Sequence, residues 1–509
     1  MKENKERKLG AILSYVAIIA NTLVQVLYTP FLVSRLGQSE YGLYSLVSSI
    51  IGYLTVLDFG FGNAIIVHTA KYRAMGETEK EKMLHGMFKM IYLVIGVIAG
   101  IGGVILALCS SSIFGGTMNG YELEQMRIML FILSFNLFIS FAFSIYSSIV
   151  TASERFVFQK SLTIFATIAK PLLMIPILFM GYKSVALCLV ITLVNIVVLA
   201  SNYWFCKRKL QVSTKFMGFD RKLFKIIFAY SFWIFLNQVV DKVNWSADQF
   251  ILGAVSGTVA VSVYSAASTL NTLFINLSTA ISGVMLPKMS KMVSKKASSE
   301  ELTDEFIKVG RIQYYIIFLM ASGLIIFGKQ FIKLWLGEGF DESYYVALIL
   351  IIPLCAPLIQ NLGLSIMQAM NKYKFRSIMM TVMAAFNIVM SIFLARLFGA
   401  TGAAIGTAVS LIICNIIIIN IYYYRVIRLN VLKFWRQIGG MTIKFMIIPI
   451  LMYVATTLFD INGWISLVLC ILIYVAAFAL FSFGFCFNNY ERKIVNQFVR
   501  KLTKGKSDR

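Results

Sequence analysis

Charge is what this sequence has least of. Only 14% of its 509 residues are Asp, Glu, Lys or Arg, whereas 59% are hydrophobic, and mean hydropathy is +0.79. A soluble domain carries roughly 25% charged residues. A chain of this size could not cover a water-facing surface with half that amount, but a lipid-facing surface needs no such cover. Histidine is almost missing. His68 and His85 are the two present, and with no cysteine or paired carboxylates near them they suggest no metal site. The seven cysteines, Cys109, Cys188, Cys206, Cys355, Cys414, Cys470 and Cys486, sit in or beside apolar runs and form no CxxC pair. That excludes a disulfide framework and a zinc ribbon, and leaves buried apolar thiols. No GxxxxGK[ST] occurs, so the chain carries no P-loop and is not the ATPase of a transport system. No motif calls for a cofactor.

The charge that is present is strongly one-sided, at a formal +24. Spread over a soluble face it would point to nucleic acid. Here it lies in short clusters between apolar runs, which is the pattern of membrane topology and not of a nucleic-acid partner. Apolar runs long enough to span a bilayer lie near 9–33, 41–66, 84–108, 124–150, 157–180, 184–206, 224–253, 259–286, 311–329, 344–370, 377–396, 399–424, 439–458 and 463–485. The first begins after Lys2, Lys5, Arg7 and Lys8. It is too long for a signal h-region and no cleavage site follows, so it reads as a membrane helix. Counting Lys and Arg in alternate connections gives 37 on one side and 5 on the other (Arg35, Lys183, Lys329, Lys333, Arg396), with five more inside the spans. One miscounted helix would mix the two sets. The pattern therefore predicts fourteen spans with both termini in the cytoplasm. The outer connections are short, and Phe331–Leu336 is expected to lie along the interface.

A faint repeat organises the spans. Leu43–Ser49 resembles Val263–Thr269, and Val185…Asn195 resembles Ile405…Asn415, both at an offset of 220. Six spans per repeat is an even number, so the halves would be parallel repeats. The expectation is an all-α membrane protein with two pseudo-symmetric six-helix lobes, 1–206 and 224–424. A cytoplasmic linker, 207–223, joins them, helices 13 and 14 follow over 425–486, and 487–509 is a basic tail.

Polar residues inside the spans are few and patterned. Tyr230, Asn237, Asp241, Asn244 and Asp248 fall at spacings of 7, 4, 3 and 4, a stripe less than a quarter-turn wide on the seventh helix. Carboxylates there cannot face lipid cheaply and should face a watery cavity or a partner helix. Lys242 points about 100° away from Asp241 and needs its own partner. The first helix repeats the pattern without charge in Ser14, Asn21, Gln25 and Tyr28, and the eighth adds Ser265, Thr269, Thr272, Asn276 and Thr279. Three such faces are what a central hydrophilic cavity requires, although hydroxyls and amides also glue helices together. Asp58 lies in the second span and Lys170 precedes Pro171 in the fifth. Lys170 could bind a transported phosphate or pair with Asp58 or Asp241. Lys89 and Lys444 are placed to snorkel to the cytoplasmic interface.

Several stretches together resemble the bacterial polysaccharide flippases, which carry O-antigen and capsule repeat units, of the multidrug/oligosaccharidyl-lipid/polysaccharide exporter superfamily. They are Arg35-Leu36-Gly37-Gln38-Ser39-Glu40-Tyr41-Gly42, Leu57-Asp58-Phe59-Gly60, Asp248-Gln249-Phe250-Ile251-Leu252-Gly253, Tyr264-Ser265-Ala266-Ala267 and Gly402-Ala403-Ala404-Ile405-Gly406. The resemblance implies two lobes around a V-shaped cavity and rocking between them. It implies as cargo an oligosaccharide on a polyprenyl pyrophosphate, moved from the inner to the outer leaflet, with membrane lipids around it. Whether a polysaccharide polymerase is a partner stays open. It also makes Asp58, Asp241 and Asp248 candidates for coupling to an ion gradient. One departure is plain. The lipid II flippases of the superfamily place arginines in their first two helices, whereas here the first has no charge before Arg35 and the second has only Asp58. Positive charge for a phosphate would have to come from Lys170, Lys242 or Arg127.

Two other readings remain. A cation or drug antiporter of the same superfamily would use the carboxylates directly. A polytopic envelope glycosyltransferase or polymerase, an enzyme, would need a catalytic outer loop, and the short outer loops hold no histidine.

Overall fold

Long apolar runs without water to satisfy their backbone close their hydrogen bonds within helices, and the described residues contain no strand. The structure is a computed structural model that describes residues 2–282, 285–370, 372, 374–458, 461 and 463–493. In chain order the helices are α1 (Lys2–Leu36), α2 (Gln38–Leu54), α3 (Phe61–Ala74), α4 (Thr78–Phe114), α5 (Gly120–Ala152) and α6 (Phe156–Phe179). Next come α7 (Ser184–Arg208), α8 (Arg221–Val255), α9 (Gly257–Ser282), α10 (Leu286–Ser294), α11 (Ser299–Leu336) and α12 (Asp341–Ile359). The remainder are α13 (Asn361–Ala369), α14 (Lys374–Leu411), α15 (Ile419–Tyr422), α16 (Val431–Phe445), α17 (Ile447–Leu458) and α18 (Trp464–Phe481).

Thirteen stretches among the described residues are long and apolar enough to cross a membrane. One of them, Lys374–Ile427, runs for 54 residues. As a single helix it would be about 80 Å long, far beyond a hydrocarbon core of ~30 Å. It does not stay single. Phe398 (φ −131°, ψ 15°) and Gly399 (φ 55°, ψ −134°) leave helical space and break it in two, which restores the fourteen crossings expected from the charge pattern. Gly402 belongs to the same turn, where a Cβ would come within 2.0 Å of the Leu394 carbonyl oxygen.

The chain forms two compact units. Met1–Ser265 with Ile388–Ala403 make the first, and Ala266–Asn387 with Ala404–Arg509 the second. In the first, α3, α4 and α5 share a core of Phe61, Ile65, Phe88, Tyr92, Phe141 and Ile145. Glycines let α4 approach α5 closely: a Cβ on Gly103 would come within 2.0 Å of Ser134 Oγ. The connection 209–220 is fastened to this unit. Its Lys215 carbonyl passes over Gly86, and Tyr146 meets Thr214 at 3.3 Å. Asp220 then caps α8 by accepting from the Lys222 and Leu223 amides. Large side chains such as Leu108, 63% exposed, form the lipid-facing surface.

In the second unit, α11 starts in a capping box of Ser298 and Glu301 and runs straight to Leu336. The Phe331–Leu336 stretch is the end of α11, continuous with the helix, with Ile332 and Trp335 buried and Phe331 stacked on Trp335. Phe327 of α11 packs with Leu467 and Tyr474 of α18, and Ser322 bonds Tyr474 at 2.6 Å. Past α18, Glu491 returns to α11 in a buried pair with Arg311, at 2.6 and 3.0 Å. Tyr315 donates to the same carboxylate at 3.0 Å.

Candidate functional site

The second span is not a plain helix. After α2 the chain makes a 3-10 turn over Thr55–Asp58, then Phe59 and Gly60 take φ of 53° and 70° before α3 begins. Positive φ at a phenylalanine is uncommon and persists only where the surroundings fix it. They do so here. Phe59 stacks on Phe235 of α8 with centroids 4.4 Å apart, and a Cβ on Gly60 would come within 2.6 Å of Ile234. Asp58 sits at this break. Its carboxylate accepts from Tyr92 Oη at 2.8 Å and from the amides of Gly60 and Gly62, at the positive end of α3.

Further along, α8 lies against α2. Ser49 donates to the Ser246 carbonyl at 3.3 Å, and Leu46 fills the space over Gly253. Asp248 is only 2% exposed. It accepts from Tyr264 of α9 and stands within electrostatic reach of Tyr53. Beside it, Gln249 donates to Ser265 at 3.0 Å. Lys242 extends its Nζ toward Gly52 of α2, where a Cβ would lie 3.4 Å away. Asp241 is exposed and Asn244 half-buried. Asn237 stands in α8, but its side chain lies outside the described residues, as does that of Tyr230. Asn276 is half-buried in the part of α9 that belongs to the second unit, and its neighbours Thr272 and Thr279 bond back to their own helix.

Beside α2 stands α1, which runs parallel to α6. Gly10 meets Phe156 near their starts and Phe31 meets Phe179 near their ends. The offset grows only from 146 to 148 residues along the pair, which puts Lys170 at the depth of Asn21 and Gln25. Lys170 is half-buried, and no carboxylate lies within 4 Å of it or of Lys242 among the described residues. Asn21 is exposed, while Gln25 and Tyr28 are half-buried. Tyr28 is within electrostatic reach of Tyr44 on α2.

Four buried polar atoms in this neighbourhood have no hydrogen-bond partner among the described residues: Gln25 Oε1, Tyr28 Oη, Tyr53 Oη and Asn244 Nδ2. Leaving one such atom dry costs about 1–3 kcal/mol, so each of the four, on α1, α2 and α8, is suited to water or a polar ligand. Lys242, Asn244 and Asp248 thus stand on α8, which lies against α2, and Gln25 and Lys170 stand on the neighbouring α1–α6 pair of the same unit. Asp58 has its own hydrogen-bond set, of Tyr92 and the Gly60 and Gly62 amides.

A second polar cluster went unread in the sequence. Glu122 caps α5 in a capping box with Asn119, and also accepts from Ser39 at 2.5 Å and Thr258 at 2.7 Å. Glu40, one residue on from Ser39, accepts from the Ser184 hydroxyl at 2.6 Å. Thr117 donates to the Gly253 carbonyl at 2.7 Å, and a Cβ on Gly42 would strike the Thr258 carbonyl at 1.9 Å. The Arg35–Gly42 stretch is therefore a joint that ties the starts of α2, α5, α7 and α9. Asn119…Glu122 was its one readable signal, as an N-cap spacing.

A family described as "Polysaccharide biosynthesis protein" matches residues 32–346, more than half of the chain and including this joint, the broken second span and all of α8. The chain belongs to that family. Among curated relatives, a Shigella flexneri protein provisionally named an O-antigen transporter is 21% identical over 401 residues, covering 77% of this chain and 92% of that one. The Bacillus subtilis (strain 168) membrane protein EpsK, itself uncharacterised, is 22% identical over 506 residues, covering 96% and 97%. Of solved structures, the lipid II flippase MurJ in an inward closed conformation superposes with a TM-score of 0.73 at 17% identity, covering 94% of this chain and 98% of that one. An inward-facing multidrug MATE transporter gives 0.64 at 16% identity, covering 79% and 96%. This member of the polysaccharide family therefore has the fold of the multidrug/oligosaccharidyl-lipid/polysaccharide exporter superfamily.

Proposed function

We propose that the protein moves a lipid-linked oligosaccharide from the inner to the outer leaflet of the bacterial cytoplasmic membrane. Two lobes, 1–206 and 224–424, would alternate their access, with both termini in the cytoplasm. The observation that supports this reading is the set of four buried polar atoms on α1, α2 and α8 that have no partner among the described residues, with Lys170 and Lys242, which have no carboxylate within 4 Å among them. Sugar hydroxyls suit the amides and phenols, because each can donate and accept. Lys170 and Lys242 are the positive charges placed to receive a phosphate, the role that arginines fill in the first two helices of lipid II flippases. Asp241 and Asp248 are the carboxylates for coupling to an ion gradient. Asp58 has a coupling role only if its bonds to Tyr92 and the α3 amides open.

Complementation tests the reading. In a host lacking the gene, lipid-linked repeat units should accumulate on the cytoplasmic side and surface polymer should vanish. The wild-type gene should reverse both. Lys170→Ala and Asp241→Asn, at matched protein level, should not. A cation antiporter is favoured instead by one observation, the carboxylate stripe on α8. Unchanged surface polymer with altered sensitivity to cationic drugs would establish that second reading and end the first.

A further inference from the structure

Lys89 lies inside α4, eleven residues from its start, half-buried and with no carboxylate within 4 Å among the described residues. It forms one end of a cleft of about 620 Å³ on the first unit, walled by α4, α5 and α7. The wall around it is aromatic. Phe143, Tyr146 and Tyr203 meet in a triad with centroids 5.0 to 6.0 Å apart, two of the three contacts edge-on. Beyond the triad the cleft is lined by aliphatic side chains, Leu93, Ile139, Ile196 and Leu199 among them.

Depth fixes what reaches this place. Tyr203 is one turn from Lys207 and Arg208 at the end of α7, and Tyr146 is six residues, about 9 Å, from the end of α5. With the adjacent Trp204, 54% exposed, these rings form the aromatic belt expected where hydrocarbon meets headgroups. The ammonium of Lys89 thus stands at headgroup level, and the aliphatic part of the cleft runs on to Ile139, about 10 Å deeper along α5. The lining holds one cation and no carboxylate. A second cleft on this unit, near the starts of α1 and α6, differs: there Arg73 and Arg155 are matched by Glu6 and Glu154.

We propose that the α4–α5–α7 cleft is a binding site for an acidic phospholipid of the inner leaflet. Its phosphate pairs with Lys89, and the upper part of one acyl chain lies along the aliphatic wall. This rests on the orientation read from the charge pattern and is independent of what the protein transports.

Native mass spectrometry of the full chain in detergent tests it, titrating phosphatidylglycerol against phosphatidylcholine of the same chains. Wild type should retain the acidic lipid preferentially. Lys89→Gln should lower that preference about fivefold, the ratio for ~1 kcal/mol from one cation near an anionic surface. Ala200→Trp should fill the cleft and remove both lipids together while leaving Lys89 in place. Melting curves of each variant report folding, and Lys89→Gln, which removes no ion pair among the described residues, should melt with wild type. Glycerol phosphate without acyl chains should not compete; if it does, the site takes free phosphate and the proposal fails. Equal retention by wild type and Lys89→Gln also overturns it, as does loss of the preference only when Lys207 and Arg208 are neutralised.

Discussion

Two polar clusters of the first unit use the same kinds of side chain to opposite ends. In the joint at Arg35–Gly42, Glu122 accepts three hydrogen bonds, Glu40 is bonded to Ser184, and both carboxylates are less than a tenth exposed. On α1, α2, α6 and α8, by contrast, amide and phenol groups are buried without partners among the described residues, and two lysines have no carboxylate within 4 Å among them. Both clusters sit in a low-dielectric setting, where a satisfied polar group rigidifies and an unsatisfied one costs. The difference teaches where to look for function. The joint uses its polarity to hold helices together, whereas the open face leaves its polarity for something that arrives later.

The largest expected effect comes from breaking the satisfied side. Glu122→Ala leaves two hydroxyls and an amide without their acceptor, and should cost at least about 3 kcal/mol by the penalty per buried group. The check is a lower melting temperature and lower yield in detergent, with Glu122→Gln recovering part of both. The buried Arg311–Glu491 pair of the second unit is of the same kind. Arg311→Ala should cost roughly 3–5 kcal/mol, and replacing both partners by apolar residues should recover much of it.

Smaller effects should follow on the open side, and in activity rather than stability. Asp241→Asn and Lys170→Ala should each lower transport at least tenfold, ~1.4 kcal/mol in barrier, and should melt within a few degrees of wild type. Equal losses of stability and transport would erase the distinction between the clusters. The broken second span gives an intermediate test. Gly60→Ala combines φ of 70° with a contact on Ile234, whereas Gly37→Ala has φ of 80° and open space around it. The former should cost more than the ~1 kcal/mol of a strained backbone alone, and the comparison is read from melting curves of the two variants.

Much of this was legible beforehand. Charge placement gave fourteen crossings even though one continuous 54-residue stretch hides two of them, because only a fold-back leaves Arg396 and Arg425 on opposite sides. Periodicity gave the faces of α1 and α8, since a polar stripe in an apolar helix has few other causes. It could not tell which stripe members are satisfied. The hydroxyls of Thr272 and Thr279 are absorbed by their own helix, Asp248 is taken up by Tyr264, and only three-dimensional neighbours decide that. The joint was missed for the same reason: Ser39, Glu122 and Thr258 are 83 to 219 residues apart, and nothing local in Ser39 or Thr258 announces a partner. Asp58 was read as a charge inside a helix, but residues 57–60 are a helix break and its carboxylate holds the new helix start.

The smallest expected effect is also the one that separates the clusters by sign. Tyr28 and Tyr53 bury hydroxyls that no described group satisfies. Removing such a hydroxyl without disturbing the ring also removes its desolvation penalty, so Tyr28→Phe and Tyr53→Phe should leave stability unchanged or raise it by up to about 1 kcal/mol. Tyr92→Phe takes away a hydroxyl of the same type, but one that donates to Asp58 at 2.8 Å, and should destabilise by ~1–2 kcal/mol. Three melting curves decide the matter. If Tyr28→Phe and Tyr53→Phe destabilise as much as Tyr92→Phe, their hydroxyls have structural partners and the open face is another joint. If they are neutral or stabilising and transport falls, those hydroxyls serve the cargo.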